Sequence, residues 1–433
     1  MFNKLIRRKI LHNKRIFCRL CESKEIKLVL PLDPILLGEH YLNTPSVNKE
    51  MRFPIDIYQC CECNAAQTLD DIDTNFLWKD YTYFSGQTKA ILRHFDEFAE
   101  QIIHNYSIDK KINVLDIGSN DGSLLKQFKK RGHKVQGFDP ASTVANVANK
   151  EGIATIISLF DESSAKFNLG DKKFELITAF NVFAHSEDMD SMIKAVKNHL
   201  TDDGLFCFEV QSLKAIAQKK ILGTFFHEHM IHYSVLSAKN FLESNDLKII
   251  NFWENNIQNG SIIFICNKKN SLKFPQEDLK ISNEILKEKS LGLHNGDWAK
   301  NFEKYISLNK SELNKILLDL EKKNIKKIPA YGAARSGPTL AIQFGLDQKI
   351  TKIFDDHLSK IGKYAPFNNL YVEKTNNLNS VEHPYTVILA YIHFKTIIKK
   401  HIRYIEEGGS FIILWPEVLI VNKNNYLDIL NKY

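Results

Sequence analysis

The spacing of apolar residues in the middle of the chain predicts a doubly wound α/β sheet. An apolar run begins at Val114 and meets a glycine turn at Gly118, and a helical pattern starts at Leu124. This order is typical of the first strand, tight turn and first helix of a Rossmann-like fold. The next apolar step ends at Asp139, 21 residues after Gly118. A carboxylate at that point can accept hydrogen bonds from both ribose hydroxyls of a bound nucleoside.

Strands and helices continue to alternate on both sides of this turn. Before it, helical spacing predicts a helix that covers the sheet with Ile91, Phe95, Phe98 and Ile102. After it, the pattern predicts a strand over 174–180, a helix over 192–200 and another strand over 205–210. The polar stretch 271–320 predicts a loop around Gly292 and Gly296, followed by a long helix that bridges to a third region.

A second glycine-rich turn, within 331–339, begins another set of alternating elements. The strand that follows it ends at Asp355, and further strands are predicted over 387–390 and 411–414. The pattern therefore predicts a second Rossmann-like domain. Arg335 in the turn can meet a phosphate, and an exposed arginine at a helix start is an equally good interpretation.

The residues of the first turn favour S-adenosylmethionine over a dinucleotide. In the dinucleotide fingerprint, three glycines let a pyrophosphate rest on a helix N-terminus. Here Asn120 replaces the middle glycine, and Asp116 and Asp121 lie on either side of it. Two carboxylates repel a pyrophosphate and suit a cation, and S-adenosylmethionine carries a sulfonium and an ammonium. An ordinary βα turn without a ligand is the remaining alternative.

Two C-x2-C pairs near the start of the chain predict a structural zinc site. Cys18 pairs with Cys21, and Cys60 pairs with Cys63, so that four thiolates can surround one tetrahedral Zn²⁺. Four protein ligands leave no open position for a reactive water, so this metal would stabilise the fold. Free thiols are the alternative. Cys61 can also replace Cys60, although Cys60 keeps the spacing of the first pair.

Three histidines and a carboxylate lie within six residues, from His227 to His232. The His227-Glu228-His229 order differs from the i, i+4 pair of H-E-x-x-H metalloproteases. An acid/base cluster is therefore the better interpretation, because imidazole exchanges protons near neutral pH. A buried polar cluster without a catalytic role is the alternative.

Length and charge narrow the class of protein. The chain has 433 residues, enough for two or three domains, and its formal charge of 58 − 51 = +7 is mild for that size. Such a charge does not favour a nucleic-acid partner. No apolar run approaches the roughly 20 residues of a membrane span, and the basic N-terminus lacks the apolar core of a secretory signal. We therefore expect a cytoplasmic location, with no membrane and no nucleic acid as partner.

Taken in order, these segments resemble the three-domain S-adenosylmethionine-dependent sugar C-methyltransferases. Type members of that family methylate C-3' of a dTDP-linked 4-keto-6-deoxysugar. The resemblance runs from about Cys18 to about Leu414, and its most specific segments are Asn181-Val-Phe-Ala-His185, His227-Glu228-His229 and Tyr331-Gly332-Ala333-Ala334-Arg335. It implies a zinc-binding domain at 1–72, a class I methyltransferase core at 73–268 and a Rossmann-like domain at 269–433 that binds the nucleotide sugar.

The resemblance also assigns roles to single residues. His229 would be the general base that removes the proton beside the 4-keto group, with Glu228 in the same network and His185 near the sugar. The cofactor would contact the first turn and two strand ends, at Asp116, Gly118, Asn120, Asp139 and Asn181. The substrate would contact Tyr81, Tyr83, Phe226 and Arg335.

The sequence departs from the family pattern at three places. Phe226 stands where the family usually has tyrosine, which removes a hydroxyl that can stabilise an enolate oxygen or relay a proton. A His-Gly-Gly-Ser-like stretch appears as 258–261, Gln-Asn-Gly-Ser, and the residues after the cysteine pairs, often glycine, are Glu22 and Asn64. O- or N-methylation of a related nucleotide sugar or glycan precursor is therefore the alternative function. A zinc-containing RNA methyltransferase or nucleic-acid-binding protein is the alternative from another class.

Overall fold

The computed structural model describes residues 12–37, 41–45, 51–73, 84–108 and 110–433. The chain divides into two compact units. Unit 1 comprises residues 1–27, 58–214 and 228–296, and unit 2 comprises residues 28–57, 215–227 and 297–433. Within the described ranges, no helix is both long and apolar enough to cross a membrane.

Short strands dominate the N-terminal part. They are β1 (His12–Lys14), β2 (Ile26–Leu30), β3 (Ile57–Cys60), β4 (Ala66–Gln67) and β5 (Asp70–Ile72). Strand β1 pairs with β5, and β3 pairs with β4, both in antiparallel orientation. Since such short strands bury little apolar surface, this part of the chain needs other interactions to hold its shape.

The main sheet of unit 1 follows the predicted doubly wound pattern. The strands in this part of the chain are β6 (Asn113–Ile117), β7 (Lys134–Phe138), β8 (Thr155–Ile156), β9 (Phe174–Phe180), β10 (Leu200–Gln211), β11 (Ile231–His232), β12 (Leu247–Asn255) and β13 (Ser261–Lys268). All except β11 form one sheet in the order β12-β13-β10-β9-β6-β7-β8. Strands β6 to β10 are parallel, and β13 is antiparallel to both β10 and β12. Strand β11 pairs with β4 instead.

Helices alternate with these strands along the chain. They are α1 (Lys89–Asn105), α2 (Ser123–Lys130), α3 (Ser142–Lys150), α4 (Glu162–Leu169), α5 (Met189–His199), α6 (Leu213–Lys219), α7 (Val235–Ser244) and α8 (Asp278–Ser290). The predicted covering helix is confirmed as α1, which buries Phe95, Phe98 and Ile102 in the core. Burying side chains of this size stabilises the fold by about 1.5–3 kcal/mol each.

Unit 2 contains a second, smaller sheet of the same class. Its elements are α9 (Asp297–Lys322), β14 (Ile328–Tyr331), α10 (Gly337–Gln343), β15 (Ile350–Asp355), β16 (Val372–Lys374), β17 (Tyr385–Ile388), α11 (Phe394–Lys400), α12 (Ile402–Glu406), β18 (Ser410–Ile413), β19 (Leu419–Val421) and α13 (Tyr426–Lys432). The strand order is β16-β15-β14-β17-β18-β19, parallel except for β19. This confirms the predicted second Rossmann-like fold, with strand bounds one or two residues from those that the sequence predicts.

Helix α8 is the element that the sequence did not predict within 271–320. Its buried positions include only one large apolar residue, Ile281, beside two carboxylates. Glu284 pairs with Lys214, and Glu288 accepts hydrogen bonds from the backbone amides of Val235 and Leu236 at 2.6 and 3.1 Å. Buried charge in place of an apolar stripe explains why hydrophobic spacing failed to reveal this helix.

Candidate active site and metal centre

The turn after β6 has the geometry that the predicted cofactor site requires. Gly118 adopts a left-handed φ of +67°, and a Cβ added there would lie 2.2 Å from Cγ2 of Val182. Asn120 and Asn181 also have positive φ values, 52° and 56°. Non-glycine residues rarely keep such backbone angles, and they are concentrated at functional sites. The turn of β6 and the end of β9 therefore both use the left-handed backbone that glycine and asparagine adopt most readily.

Asp139 directly follows β7 and is hydrogen-bonded to the turn after β6. Its Oδ2 accepts from the amide of Asn120 and its Oδ1 from the amide of Ala141, each at 2.8 Å. Burial nevertheless raises the pKa of Asp139 to about 6. The carboxylate is fixed in position and still gains from a hydrogen-bond donor or a cation beside it.

Asp116 lies behind the turn and is buried. Burial raises its pKa to about 7; a hydrogen bond from Thr178 Oγ1 at 2.6 Å opposes that shift, and the charge on Asp139 adds to it. Two buried carboxyl groups with raised pKa values on neighbouring strands favour a positively charged ligand, because a cation offsets the cost of ionising them.

A cavity of about 820 Å³ opens beside this turn. Four of the five predicted cofactor residues line it, namely Gly118, Asn120, Asp139 and Asn181, and so does His185. Its rim also carries acidic residues that the sequence analysis missed: Asp161, Glu162, Glu187 and Asp188. Lys166 is the basic side chain of the lining. The excess of carboxylates agrees with a cationic cofactor.

His185 lines this cavity, and His229 packs against it. Their imidazole rings are stacked, with centroids 5.1 Å apart and planes 27° from parallel. The backbone amide of Met230, next to His229, donates to the carbonyl oxygen of Ala184, next to His185, at 3.1 Å. This contact holds together two histidines that are distant in sequence.

The other members of the histidine cluster are more deeply buried. His232 lies edge-on to His229 at 6.3 Å, and burial lowers the pKa of His232 to about 3, so it is neutral at physiological pH. Glu228 is buried. In unit 2, Nε2 of His227 contacts the carbonyl oxygen of Phe53 at 3.3 Å. His229 is half-buried, so it is the cluster histidine with access to a substrate.

The four predicted cysteines converge. Their Sγ atoms lie within 4.8 Å of one another, with Cys18 to Cys63 at 3.5 Å and Cys21 to Cys60 at 3.6 Å. All four are free thiols. A tetrahedral zinc with Zn–S bonds of about 2.3 Å separates its sulfurs by about 3.8 Å, so the cluster fits that ion. Cys61 is exposed and is not part of the cluster.

Two further observations suit a thiolate cluster. The hydroxyl of Tyr233 is fully buried and has no hydrogen-bond partner among the described residues. Its pKa is raised well above the ordinary value, chiefly by burial and then by the nearby Cys63 and Cys18. The sulfurs of Cys63 and Cys18 therefore lie near enough to this hydroxyl to act on its charge. Glu22 and Asn64, which follow the two cysteine pairs, have φ values of 59° and 65°, the left-handed backbone that favours glycine.

Comparisons with known proteins agree with this arrangement. Residues 91–251 match the methyltransferase domain family, and residues 256–416 match the C-methyltransferase C-terminal domain family. The chain is 24% identical over 423 residues to the C-methyltransferase NovU of Streptomyces niveus, and the match covers 95% of this chain and 98% of that protein. The chain belongs to the S-adenosylmethionine-dependent C-methyltransferases. The predicted preference for S-adenosylmethionine over a dinucleotide is confirmed.

Other similarities cover less of this C-methyltransferase. The ubiquinone biosynthesis O-methyltransferase of Pasteurella multocida is 30% identical over 118 residues, which are 24% of this chain and 49% of that protein. A solved S-adenosylmethionine-dependent methyltransferase from Clostridium acetobutylicum is 16% identical, with a TM-score of 0.33, and covers 45% of this chain and 95% of that one.

Unit 2 of this C-methyltransferase also contains a glycine turn that is hydrogen-bonded to a carboxylate at the end of the next strand. Gly332 has a φ of +100°, and a Cβ there would lie 2.3 Å from Cβ of Ala390. Asp355 accepts from the amides of Ala333 and His357 at 2.5 and 2.6 Å. In the same way, Asp139 accepts from the amide of Asn120, in the turn after β6, and from the amide of Ala141, two residues further along the chain. The second turn is therefore built on the same plan as the first.

The predicted substrate residues are only partly described. Arg335 lies with its guanidinium carbon 5.7 Å from the ring centroid of Phe226, so these two do meet within unit 2. Tyr81 and Tyr83 lie outside the described residues. Ser85 and Gly86 were not among the predicted site residues, yet their amides donate to Asn120 Oδ1 and Asp121 Oδ2 at 3.0 and 2.8 Å. The Ser-Gly pair, a common turn signal, is the sequence feature that could have revealed this contact.

Proposed function

We propose that this C-methyltransferase transfers the methyl group of S-adenosylmethionine to a carbon, C-3', of a nucleotide-linked 4-keto-deoxysugar. The observation that carries the proposal is the stack of His229 on His185, which itself lines the cofactor cavity. An imidazole beside the methyl donor supports a reaction that begins with removal of a proton.

His229 is the general base in this proposal. A ketone acidifies the proton on the neighbouring carbon, but removing it near neutral pH still requires a base. A positioned histidine contributes roughly 10²–10⁴-fold to such a step. Loss of the proton to His229 gives an enolate, whose carbon would take the methyl group as the donor's sulfur–methyl bond breaks and S-adenosylhomocysteine leaves. Glu228 stabilises the charged imidazole and His185 contacts the sugar.

The chain's own residues hold the methyl donor. S-adenosylmethionine, when bound, supplies an electrophilic methyl group on a sulfonium. Asp139 accepts hydrogen bonds from the ribose hydroxyls, and Gly118 and Asn120 leave room for close approach of the backbone. Asp116 and Asn181 complete the set, and the acidic rim favours the positively charged end. Holding donor and enolate in line supplies much of the remaining rate.

The C-terminal half binds the nucleotide part of the substrate. Arg335 is a candidate for a phosphate, because guanidinium groups pair with phosphate oxygens in a bidentate manner. The domain bounds in this proposal are 1–72 for a domain with one structural zinc, 73–268 for the methyltransferase core and 269–433 for the nucleotide-sugar domain. Tyr81 and Tyr83 are the further substrate contacts, and the enzyme acts in the cytoplasm.

Phe226 supports a second candidate, methylation of oxygen or nitrogen on a related nucleotide sugar. Its ring has no hydroxyl to stabilise an enolate, and the Arg335 guanidinium lies over it. An oxygen or nitrogen nucleophile needs no enolate.

Turnover against a panel of nucleotide-linked sugars tests both candidates. The panel contains 4-keto-deoxysugars and their 4-hydroxy and 4-amino counterparts, and NMR of each product locates the new methyl group. We expect a C–CH₃ product from a 4-keto sugar alone. A methyl on oxygen or nitrogen supports the second candidate and contradicts the first.

A further inference from the structure

We infer that the four-cysteine centre positions the base: through Gln67, the metal-binding cluster fixes the place of His229. Gln67 is thus a positioning residue, and the inference rests on the proposed function only in taking His229 as the base. Every contact in the argument lies within unit 1.

Gln67 is fully buried and uses both ends of its amide on the cysteine cluster. Its Nε2 donates to Sγ of Cys18 at 3.0 Å, and its Oε1 accepts from the amide of Arg19 at 2.8 Å. A donor aimed at a sulfur stabilises the thiolate form that binds a metal. The orientation of this side chain therefore depends on the arrangement of the cluster.

The backbone of Gln67 carries that dependence to the histidine segment. Strand β4 lies between β3, which ends at the ligand Cys60, and β11, which begins two residues after His229. Gln67 is paired with Tyr58 on one side and with Ile231 on the other. The next residue, Thr68, donates its amide to the carbonyl oxygen of Met230 at 3.0 Å. One strand thus joins the cluster to the residue beside the base.

The connection continues to the second histidine. The amides of Met230 and Ile231 both donate to the carbonyl oxygen of Ala184, at 3.1 and 3.3 Å. Ala184 precedes His185, which stacks on His229. A displacement of β4 relative to this segment would therefore move the rings with respect to each other.

Arg19, between the two cysteines of the first pair, makes a parallel connection. Its side chain is buried, its Nε donates to the carbonyl oxygen of Thr68 at 2.8 Å, and one guanidinium nitrogen lies 3.6 Å from Sδ of Met230. Its other nitrogen pairs with Asp71 at 2.5 Å. The peptide loop that carries Cys18 and Cys21 is thus attached to the segment of the base at two separate points.

These contacts give the cysteine cluster a second role, which is to fix the position of the base. A catalytic group displaced by about 1 Å can lose about 10²-fold in rate. Since β4 and β11 contain two residues each, they have little apolar packing of their own to fix their register. The cysteine cluster supplies that fixed point.

A pair of matched variants tests the inference. Gln67→Met keeps the length and volume of the side chain and removes both amide contacts. Gln59→Met is the control, because Gln59 is also fully buried and its amide donates to the carbonyl oxygen of Asn64 in the second cysteine loop, while its strand, β3, is separated from β11 by β4. The first readout is the imidazole NMR signal of His229 in the full-length zinc-loaded protein, assigned with His229→Gln.

We expect Gln67→Met to shift or broaden the His229 signal while zinc content and S-adenosylmethionine affinity stay within twofold of the wild type. With the sugar substrate, kcat should fall at least tenfold and KM should change little. Gln59→Met should leave the His229 signal and kcat as in the wild type. An unchanged His229 signal in Gln67→Met overturns the inference, and so does an equal effect of the two variants.

A second variant covers the possibility that Gln67→Met fails to fold. Gln67→Asn keeps the neutral amide but shortens the side chain by one CH₂, which draws the amide away from Cys18 and Arg19, so it should perturb the same signal to a smaller degree. An unperturbed signal in that variant counts against the inference. Because the NMR readout needs no sugar, it also separates the two proposals. If no sugar is methylated yet the His229 signal moves as expected, the proposed function fails and the coupling of cluster to histidine stands.

Discussion

His185 and His229 are stacked face to face, with ring centroids 5.1 Å apart. His185 also lines the cavity beside the first turn. A neutral imidazole beside the cofactor cavity is the form that a general base needs.

Replacing His185 separates its proposed contact with the sugar from its proposed support of the base. His185→Phe keeps a ring against His229 and loses the polar nitrogens, so KM for the sugar should rise while kcat falls only a few-fold. His185→Ala removes the stack as well, and kcat should fall at least tenfold further. Steady-state kinetics measure both, with His104→Ala, an exposed position on α1, as the unaffected control. Equal kcat values in the two variants would contradict the supporting role.

S-adenosylmethionine should bind more tightly as the pH rises from 5 to 8. Burial raises the pKa of Asp139 to about 6 and that of Asp116 to about 7. Ionising them therefore destabilises the free protein as the pH rises through this range, and the cationic ligand offsets that cost. Calorimetry at several pH values measures the affinity.

The control for this pH dependence is Asp139→Asn. That variant loses charge-assisted hydrogen bonds worth about 1.5–3 kcal/mol each, so its affinity at pH 8 should be at least tenfold weaker. At pH 5, where the wild-type carboxyl is protonated, the two proteins should differ much less. An equal loss at both pH values would show that the charge of Asp139 is not what matters.

The purified, reduced protein should contain one zinc per chain. Cys21 and Cys61 are both exposed cysteines, but only Cys21 belongs to the cluster. Cys21→Ser should therefore lose the zinc and unfold at a lower temperature, because metal binding contributes directly to folding. Cys61→Ser should keep both the zinc and the wild-type Tm. Metal analysis and thermal unfolding are the measurements, and zinc-free wild type would refute the assignment.

Gly118→Ala should impair cofactor binding through a single methyl group. The new Cβ would lie 2.2 Å from Val182 Cγ2, and overpacking of this kind costs about 1–3 kcal/mol. Val182→Ala in the same chain should restore part of the affinity. Gly132→Ala is the control, because it also has a positive φ, +87°, but nothing lies within 4 Å of its Cβ position. If both single variants bind S-adenosylmethionine equally well, close packing at Gly118 is not required.

The sequence predicted those features that depend on local pattern. Alternating apolar runs and glycine turns predicted both Rossmann-like sheets, and helical spacing predicted α1. The spacing of Cys18, Cys21, Cys60 and Cys63 predicted a four-sulfur cluster, which the structure contains. In each case the residues whose spacing led to the prediction are the same residues that form the sheet, the helix or the cluster.

Several features that depend on contacts between distant segments could not be read from residue patterns alone. The approach of His229 to His185 rests on a backbone hydrogen bond to Ala184, and such a bond leaves no mark in the side-chain sequence. Helix α8 is held by the buried carboxylates Glu284 and Glu288, which look like solvent-exposed residues in the sequence. The acidic rim of the cavity comes from two separate loops that only the fold brings together.

Proton exchange in heavy water tests the central claim, that His229 is the base for carbon methylation, most directly. The wild type is incubated in D₂O with a nucleotide-linked 4-keto-deoxysugar and S-adenosylhomocysteine, so that no methyl transfer follows, and NMR monitors the proton next to the ketone. We predict that the wild type exchanges this proton for deuterium. His229→Ala should exchange it about 10²–10⁴-fold more slowly, as expected for loss of a general base, while its S-adenosylmethionine affinity is unchanged. Equal exchange rates in the two proteins, or no exchange in the wild type together with a methyl group on oxygen or nitrogen in the product, would contradict the account.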